Sequence, residues 1–166
     1  QRMNYILFDD SREKLLPLTF TRPVCDLRIG ILTIREKWSN YLNVTPSTLT
    51  EVYLSVKFPL VSASENVMLN GGVCPTAELI SEISSLKKGE QLVKNGKLLD
   101  ARIDGNVSSF QNVAGKGKEF SGEVLIVENP WDIFSKNGEA IESDFELLTA
   151  GRKSEKLSKS NTVIGN

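Results

Sequence analysis

Apolar positions along the chain come in short blocks separated by polar turns, the rhythm of alternating strands and helices. Tyr5, Ile6, Leu7 and Phe8 form a run that stops at Asp9 and Asp10, which predicts a buried strand over Asn4–Phe8. A basic loop punctuated by Pro17 and Pro23 follows. From Ile29 to Leu42 the apolar residues Ile31, Ile34, Trp38, Tyr41 and Leu42 recur at helical spacing, with Arg28, Arg35, Glu36 and Lys37 on the other side. Strand, loop and helix in that order direct attention to Asp9 through Gly30, because open α/β sheets bind ligands beyond the carboxyl ends of their strands.

The next blocks continue the pattern. Asn43 to Thr50, with Pro46, reads as a loop. Glu51 to Phe58 alternates Val52, Leu54 and Val56 with polar or exposed positions, which predicts a half-buried strand over Val52–Val56. Val67, Met68 and Leu69 predict a third strand ending in Asn70-Gly71-Gly72, and Thr76 is placed to cap a helix carrying Leu79, Ile80, Ile83 and Leu86. Two β-prone runs around Asn95-Gly96 predict a hairpin, since both central residues of a type I′ turn need positive φ. The stretch from Asp104 to Ser121, with Gly105, Gly115, Gly117 and the lysines Lys116 and Lys118, reads as a surface loop. Val124–Val127 predicts a last strand. Trp131, Phe134, Ile141, Phe145 and Leu148 then mark one long or kinked helix whose stripe is expected to pack into the core. The pattern as a whole predicts an α/β domain over residues 3–149, a mainly parallel sheet flanked by helices with a small hairpin, followed by a polar linker or tail over 150–166.

Composition narrows the function classes. The chain has 166 residues, the size of one domain, and its formal net charge is −1. Near-neutral charge gives no field for nucleic acid or an anionic membrane. No apolar run reaches the roughly 18 residues of a membrane span, and no leader pattern opens the chain, so a cytoplasmic location is expected. Gln1 and Arg2 precede Met3, a plausible initiator. Histidine is absent, which removes Ser-His-Asp and Cys-His mechanisms and histidine metal sites. Cys25 and Cys74 lack metal-ligand spacing and are expected to be buried, reduced thiols.

The first block also carries a resemblance. Anchored on Pro17, it is similar to the signature GxGTRLxPLT of sugar-1-phosphate nucleotidyltransferases. Leu15, Pro17, Leu18, Thr19 and Pro23 match its framework, Lys14 falls on its basic position and Gly30 on a later glycine. Asp10 and Arg12 stand at its two glycines, Glu13 at its threonine, and Val24 at the lysine after its proline. A shorter, divergent branch is a closer match: its members read LFDD, LLPLTxTRPV and RxGxLTxREK here, and NPWDIF, NGEAI and DFELL later, all present in this chain. The resemblance, to domains of the N-acetylglucosamine-1-phosphate uridyltransferase and glucose-1-phosphate thymidylyltransferase type, implies a Rossmann-like nucleotidyltransferase fold, trimmed in size. It implies transfer of a nucleotide from a nucleoside triphosphate to a sugar 1-phosphate, with release of pyrophosphate. In that branch a left-handed β-helix usually follows, so a missing C-terminal domain, and oligomerisation through it, are expected too.

Such chemistry needs positioning and positive charge more than acid and base. Lys14 and Arg22 are the expected catalytic cations on the triphosphate, arginine because it can pair bidentately with phosphate. Asp10, Ser11, Arg12, Asn70 and Gly71 are expected to contact substrate. The resemblance implies Mg2+, with Asn129 (or Glu128 beside it) and Asp9 or Asp10 as ligands, because the family's magnesium-binding aspartate position is Gly72 here and glycine has no side chain to offer. From the residues alone, Asp9 and Asp10 read first as a helix cap with a turn. Carboxylates at Asp10 and Glu13 would face an anionic triphosphate. These departures leave a second reading, a catalytically degenerate domain that binds a nucleotide sugar or scaffolds a β-helix acyltransferase, and a third, an interaction domain whose basic loop meets a protein partner.

Overall fold

The computed structural model describes residues 3–109 and 116–152. Strand β1 (Asn4–Phe8) is the apolar run expected there, and Ile6, Leu7 and Phe8 are fully buried. The predicted helix starts late. Gly30, at φ 74°, folds β2 (Arg28–Ile29) back on β3 (Leu32–Thr33), and only then does α1 (Ile34–Leu42) begin. Thr33 caps it in a reciprocal pair with Glu36, which satisfies two amides at once.

Two neighbouring expectations fail together. The strand expected over Val52–Val56 is a single helical turn, α2 (Val52–Ser55), and the strand lies in the expected loop as β4 (Ser47–Leu49). Pairing decides this. Ser47, Thr48 and Leu49 align with Ile6, Leu7 and Phe8 of β1, whereas Val52 and Val56 are 86% and 92% exposed, leaving alternation without a surface to bury.

Strand β5 (Glu65–Asn70) lies on the other side of β1, and Gly71-Gly72 lead from it into β6 (Val73–Cys74) and α3 (Ala77–Ser85), capped by Thr76 as expected. Asn95 and Gly96, at φ 51° and 77°, join β7 (Glu90–Lys94) to β8 (Lys97–Asp104) in the predicted hairpin. Part of the predicted surface loop is instead β9 (Lys116–Glu119), parallel to β7. Gly115 lies outside the described residues. The main sheet runs β4-β1-β5-β8-β7-β9; β8 is antiparallel to both neighbours and the other pairings are parallel. The last predicted strand is β10 (Leu125–Ile126), which pairs with β6 outside this sheet.

The C-terminal stripe is also corrected. The helix breaks at Lys136 into α4 (Pro130–Ser135) and α5 (Asn137–Thr149), and Trp131, Phe134, Ile141 and Phe145 are exposed rather than core, Phe134 by 80%. The buried face of α5 is Ala140 and Asp144. Asp144 wins because its carboxylate has partners inside: the amides of Ile31 and Leu32 at 2.9 and 3.0 Å and the buried ammonium of Lys37. A larger core on one face of the sheet gathers Leu7, Trp38, Leu69, Leu79 and Ile83, and a smaller one gathers Ile6, Phe8, Met68, Ala101 and Val107. Cys25 and Cys74 are free and buried, and burial pushes the Cys74 thiol up to about 12 and raises that of Cys25 as well. No helix among the described residues is long and apolar enough to cross a membrane. Of the expected tail, residues 153–166 lie outside the described ones.

Candidate functional site

The parallel strands β1 and β5 end side by side, and short backbone contacts fix the path of the chain beyond each end. The Gly71 amide donates to the Phe8 carbonyl at 2.9 Å, and a Cβ at Gly71 would lie 2.9 Å from that oxygen, so a side chain there would push the two strand ends apart. Asn70, fully buried, donates to the Leu98 carbonyl at 2.8 Å and to Asp10 at 3.0 Å, and accepts from the Gly72 amide at 2.9 Å. It ties the ends of β5, β8 and the first loop into one unit.

Asp9 is committed to that loop. Its carboxylate accepts from the Val24 amide at 2.9 Å, from the Thr50 hydroxyl and from Arg12 at 3.4 Å. Burial raises its pKa against the opposing pull of those three partners. Arg12 is equally engaged: it donates to the Arg22 carbonyl and the Tyr53 hydroxyl and lies 5.6 Å from the centre of the Tyr53 ring, while Thr19 donates to the Arg12 carbonyl. Lys14 is exposed and has no side-chain partner among the described residues. Arg22 is exposed as well; only its carbonyl takes part in the loop's bonding.

A residue the sequence did not single out stands at the centre. The ammonium of Lys97, the first residue of β8, lies 3.0 Å from Asp10 Oδ2, 2.9 Å from Glu128 Oε1 and 3.0 Å from Ser11 Oγ. Desolvation alone would lower its pKa, but Glu128 and Asp10 outweigh it and raise the value. Ser11 adopts the left-handed conformation at φ 55°, with its amide bonded to Asp10 Oδ1.

Two open clefts lie on either side of this cluster. One, about 510 Å³, lies beyond the ends of β1 and β4 and is lined by Asp9, Ser11, Arg12, Lys14, Thr50 and Ser108 among others. The second, about 410 Å³, is lined by residues that include Lys94, Lys97, Glu128, Asn129, Asp132 and Lys136. Ser11 lines the first, Lys97 and Glu128 the second, and the Lys97–Ser11 bond joins them. Of the residues expected at a site, Asp10, Ser11 and Asn70 are brought together by Lys97 and the Asn70–Asp10 bond; Ser11, Arg12 and Lys14 line the first cleft, and Asp10, Asn70, Gly71 and Arg22 line neither.

The expected magnesium ligands Asp9 and Asn129 line different clefts, whereas their alternatives Asp10 and Glu128 both contact the Lys97 ammonium. Asp9 lines the first cleft, engaged as above, and Asn129 lines the second, where it opens α4. Asp132 holds that turn: burial works against its charge, yet the amides of Glu128 and Asn129, with Lys136, keep its carboxyl below the usual range. Position 72 is closed, since a Cβ there would lie 2.7 Å from the Val127 carbonyl, whose own amide donates to the Gly72 oxygen at 2.7 Å. Asp9 and Asn129 do not fit a shared magnesium ion, and Asp10 and Glu128 hold the Lys97 ammonium instead. Gly72→Ala is expected to cost about 1–3 kcal/mol by overpacking and Gly72→Asp more, read as a lower urea midpoint.

Three comparisons bear on this geometry. The family model described as sugar nucleotidyl transferase matches residues 5–153. No curated protein matches the chain. Among solved structures, a Bacillus anthracis protein assigned as a glucose-1-phosphate thymidylyltransferase, in complex with sucrose, superposes with a TM-score of 0.50 at 12% identity, over 84% of this chain and 96% of that one. At that identity the likeness is one of fold.

Proposed function

The chain belongs to the sugar nucleotidyl transferase family, and we propose that it joins a nucleoside triphosphate to a sugar 1-phosphate. An oxygen of the sugar phosphate would attack the α-phosphorus, a new P–O bond forming as the bond to the β-phosphate oxygen breaks and pyrophosphate leaves. The observation that supports this reading is the pair of clefts on either side of Ser11 and Lys97, beyond the carboxyl ends of β1 and β5. Two ligands seated on either side would bring their phosphates to one point, and in-line phosphoryl transfer depends on that placement.

In this reading the triphosphate takes the first cleft. Lys14 lies on its wall and Arg22 belongs to the same loop, and these are the cations free to gather phosphate oxygens. Arg12 shapes the loop from behind. Asp10 and Ser11 hold Lys97 between the clefts with the buried Asn70 and Gly71 behind them, and the sugar phosphate enters beside Glu128 and Asn129. A C-terminal β-helix after the polar tail, and oligomerisation through it, belong to the same proposal.

The test is a thermal-shift screen of the whole chain against nucleoside triphosphates and sugar phosphates, followed by a pyrophosphate-release assay. A ligand at a hundredfold excess over its dissociation constant stabilises by about 2.7 kcal/mol, which raises the melting temperature by roughly 5 °C or more at this size. Lys14→Ala and Arg22→Ala should each lower turnover at least tenfold with unchanged melting temperatures. A folded chain that neither shifts nor releases pyrophosphate with any pair would overturn the reaction and favour the scaffolding reading.

A further inference from the structure

We infer that Lys97 is the resident cation of the junction, its ammonium taking the place of a divalent metal ion between Asp10 and Glu128. The inference rests on the proposed reaction only where phosphates are concerned.

The three oxygens around Nζ come from distant parts of the chain: Asp10 and Ser11 follow β1, Glu128 follows β10, and the lysine leaves a hairpin turn. An ammonium has three donors, and here it finds three acceptors at 2.9–3.0 Å. Magnesium instead requires oxygens at about 2.0–2.1 Å in octahedral order, a spacing the same three oxygens do not offer. Remove the ammonium, and two carboxylates face one another across an empty point beside the clefts, an arrangement that costs free energy unless another cation enters.

The surroundings agree. Lys97 is only 17% exposed at its side chain, so its charge is held in place. The other charged groups on that cleft are Lys94, Lys136, Glu123 and Asp132, and the last is bound to the amides that open α4. Two other positions tied to a metal in the resemblance are spoken for or closed, Asp9 by its three partners and position 72 by the Val127 carbonyl. A tethered cation of fixed position offsets the two carboxylates beside a ligand that spans both clefts, without recruiting an ion from solution.

The experiment is a Mn2+ titration, followed by electron paramagnetic resonance, on the full chain and on Lys97→Met, with Lys97→Ala as a second removal of the charge and circular dichroism to confirm the fold. Removing the ammonium should tighten Mn2+ binding at least tenfold, and adding Glu128→Gln should abolish the gain. Equal binding by the parent chain and both variants, or no gain in a folded variant, overturns the inference. In a parallel arm, thermal shifts with a nucleoside triphosphate are read in Mg2+ and in chelator. The parent chain should shift equally in both, and Lys97→Met only in Mg2+. A parent shift that needs Mg2+ overturns the inference. No shift under either condition overturns the triphosphate reading above, and the Mn2+ titration then decides the role of Lys97.

Discussion

Asp144→Ala is expected to remove about 3–5 kcal/mol of stability, the cost of leaving one member of a buried ion pair uncompensated. Lys37 and Asp144 have side chains only 5% and 3% exposed, and among the described residues the Lys37 ammonium has no other acceptor. The reverse change should cost less. In Lys37→Met the Asp144 carboxylate keeps the amides of Ile31 and Leu32, at 2.9 and 3.0 Å, so its charge remains partly satisfied. The order of the two single variants in urea denaturation is therefore the diagnostic, with Asp144→Ala the weaker protein. The alanine variant also loosens the β2–β3 hairpin, because the same carboxylate ties Ile31 and Leu32 to α5, leaving the Gly30 amide's bond to Asn137 to hold the turn. Equal losses would mean that the backbone bonds contribute nothing beyond the ion pair.

A second large effect should appear as pH dependence at Asp100. This residue of β8 is fully buried, aligned with Leu69 on β5 and Leu92 on β7, and neither carboxylate oxygen has a hydrogen-bond partner among the described residues. Burial pushes its carboxyl from 3.8 up to about 8. The sign is set by linkage. Below pH 3.8 both the folded and the unfolded chain hold the proton and stability is full; from there to about 8 only the unfolded chain releases it, so stability falls as pH rises. At about 1.4 kcal/mol per unit, the loss reaches roughly 4 kcal/mol at pH 7 and levels off above pH 8. Asp100→Asn should remove this component, so that its advantage over the parent chain grows from pH 4 to pH 8 in denaturant titrations. An advantage that stays constant with pH would show that Asp100 does not stay protonated in the fold.

Local chemistry decides the parts of the fold that were readable in the sequence. Asn95-Gly96 announces its turn because both φ values must be positive, Thr76 announces a helix start, and the run ending at Phe8 announces a strand whose end borders the first cleft. Pairing partners are not local. Ser47–Leu49 has an unremarkable composition and becomes β4 because β1 offers it an edge, while the better-patterned Val52–Val56 has none. Helical spacing likewise told which residues of α5 share a face, but not that the inward face would be chosen by Asp144. Lys97 illustrates the limit for the site. It follows the hairpin turn that the sequence announced, yet its role depends on β8 lying against β5, which carries it to Ser11, 86 residues away in the chain. By contrast Asp10, Ser11 and Asn70 were readable as neighbours because they lie at two strand ends, Asp10 and Ser11 just beyond β1 and Asn70 as the last residue of β5.

The backbone bond between Val127 and Gly72 also bears on the variation this fold permits. A side chain at position 72 needs the ladder between β6 and β10 to open first, and β10 runs directly into Glu128, which grips Lys97. Placing an aspartate there is consequently not a one-step change: the strand would have to shift, Glu128 would move with it, and the lysine would lose an anchor. Glycine at 72 and lysine at 97 form a linked pair of choices, each making the other harder to reverse, and a designer who wants a metal-dependent centre on this scaffold must change both together.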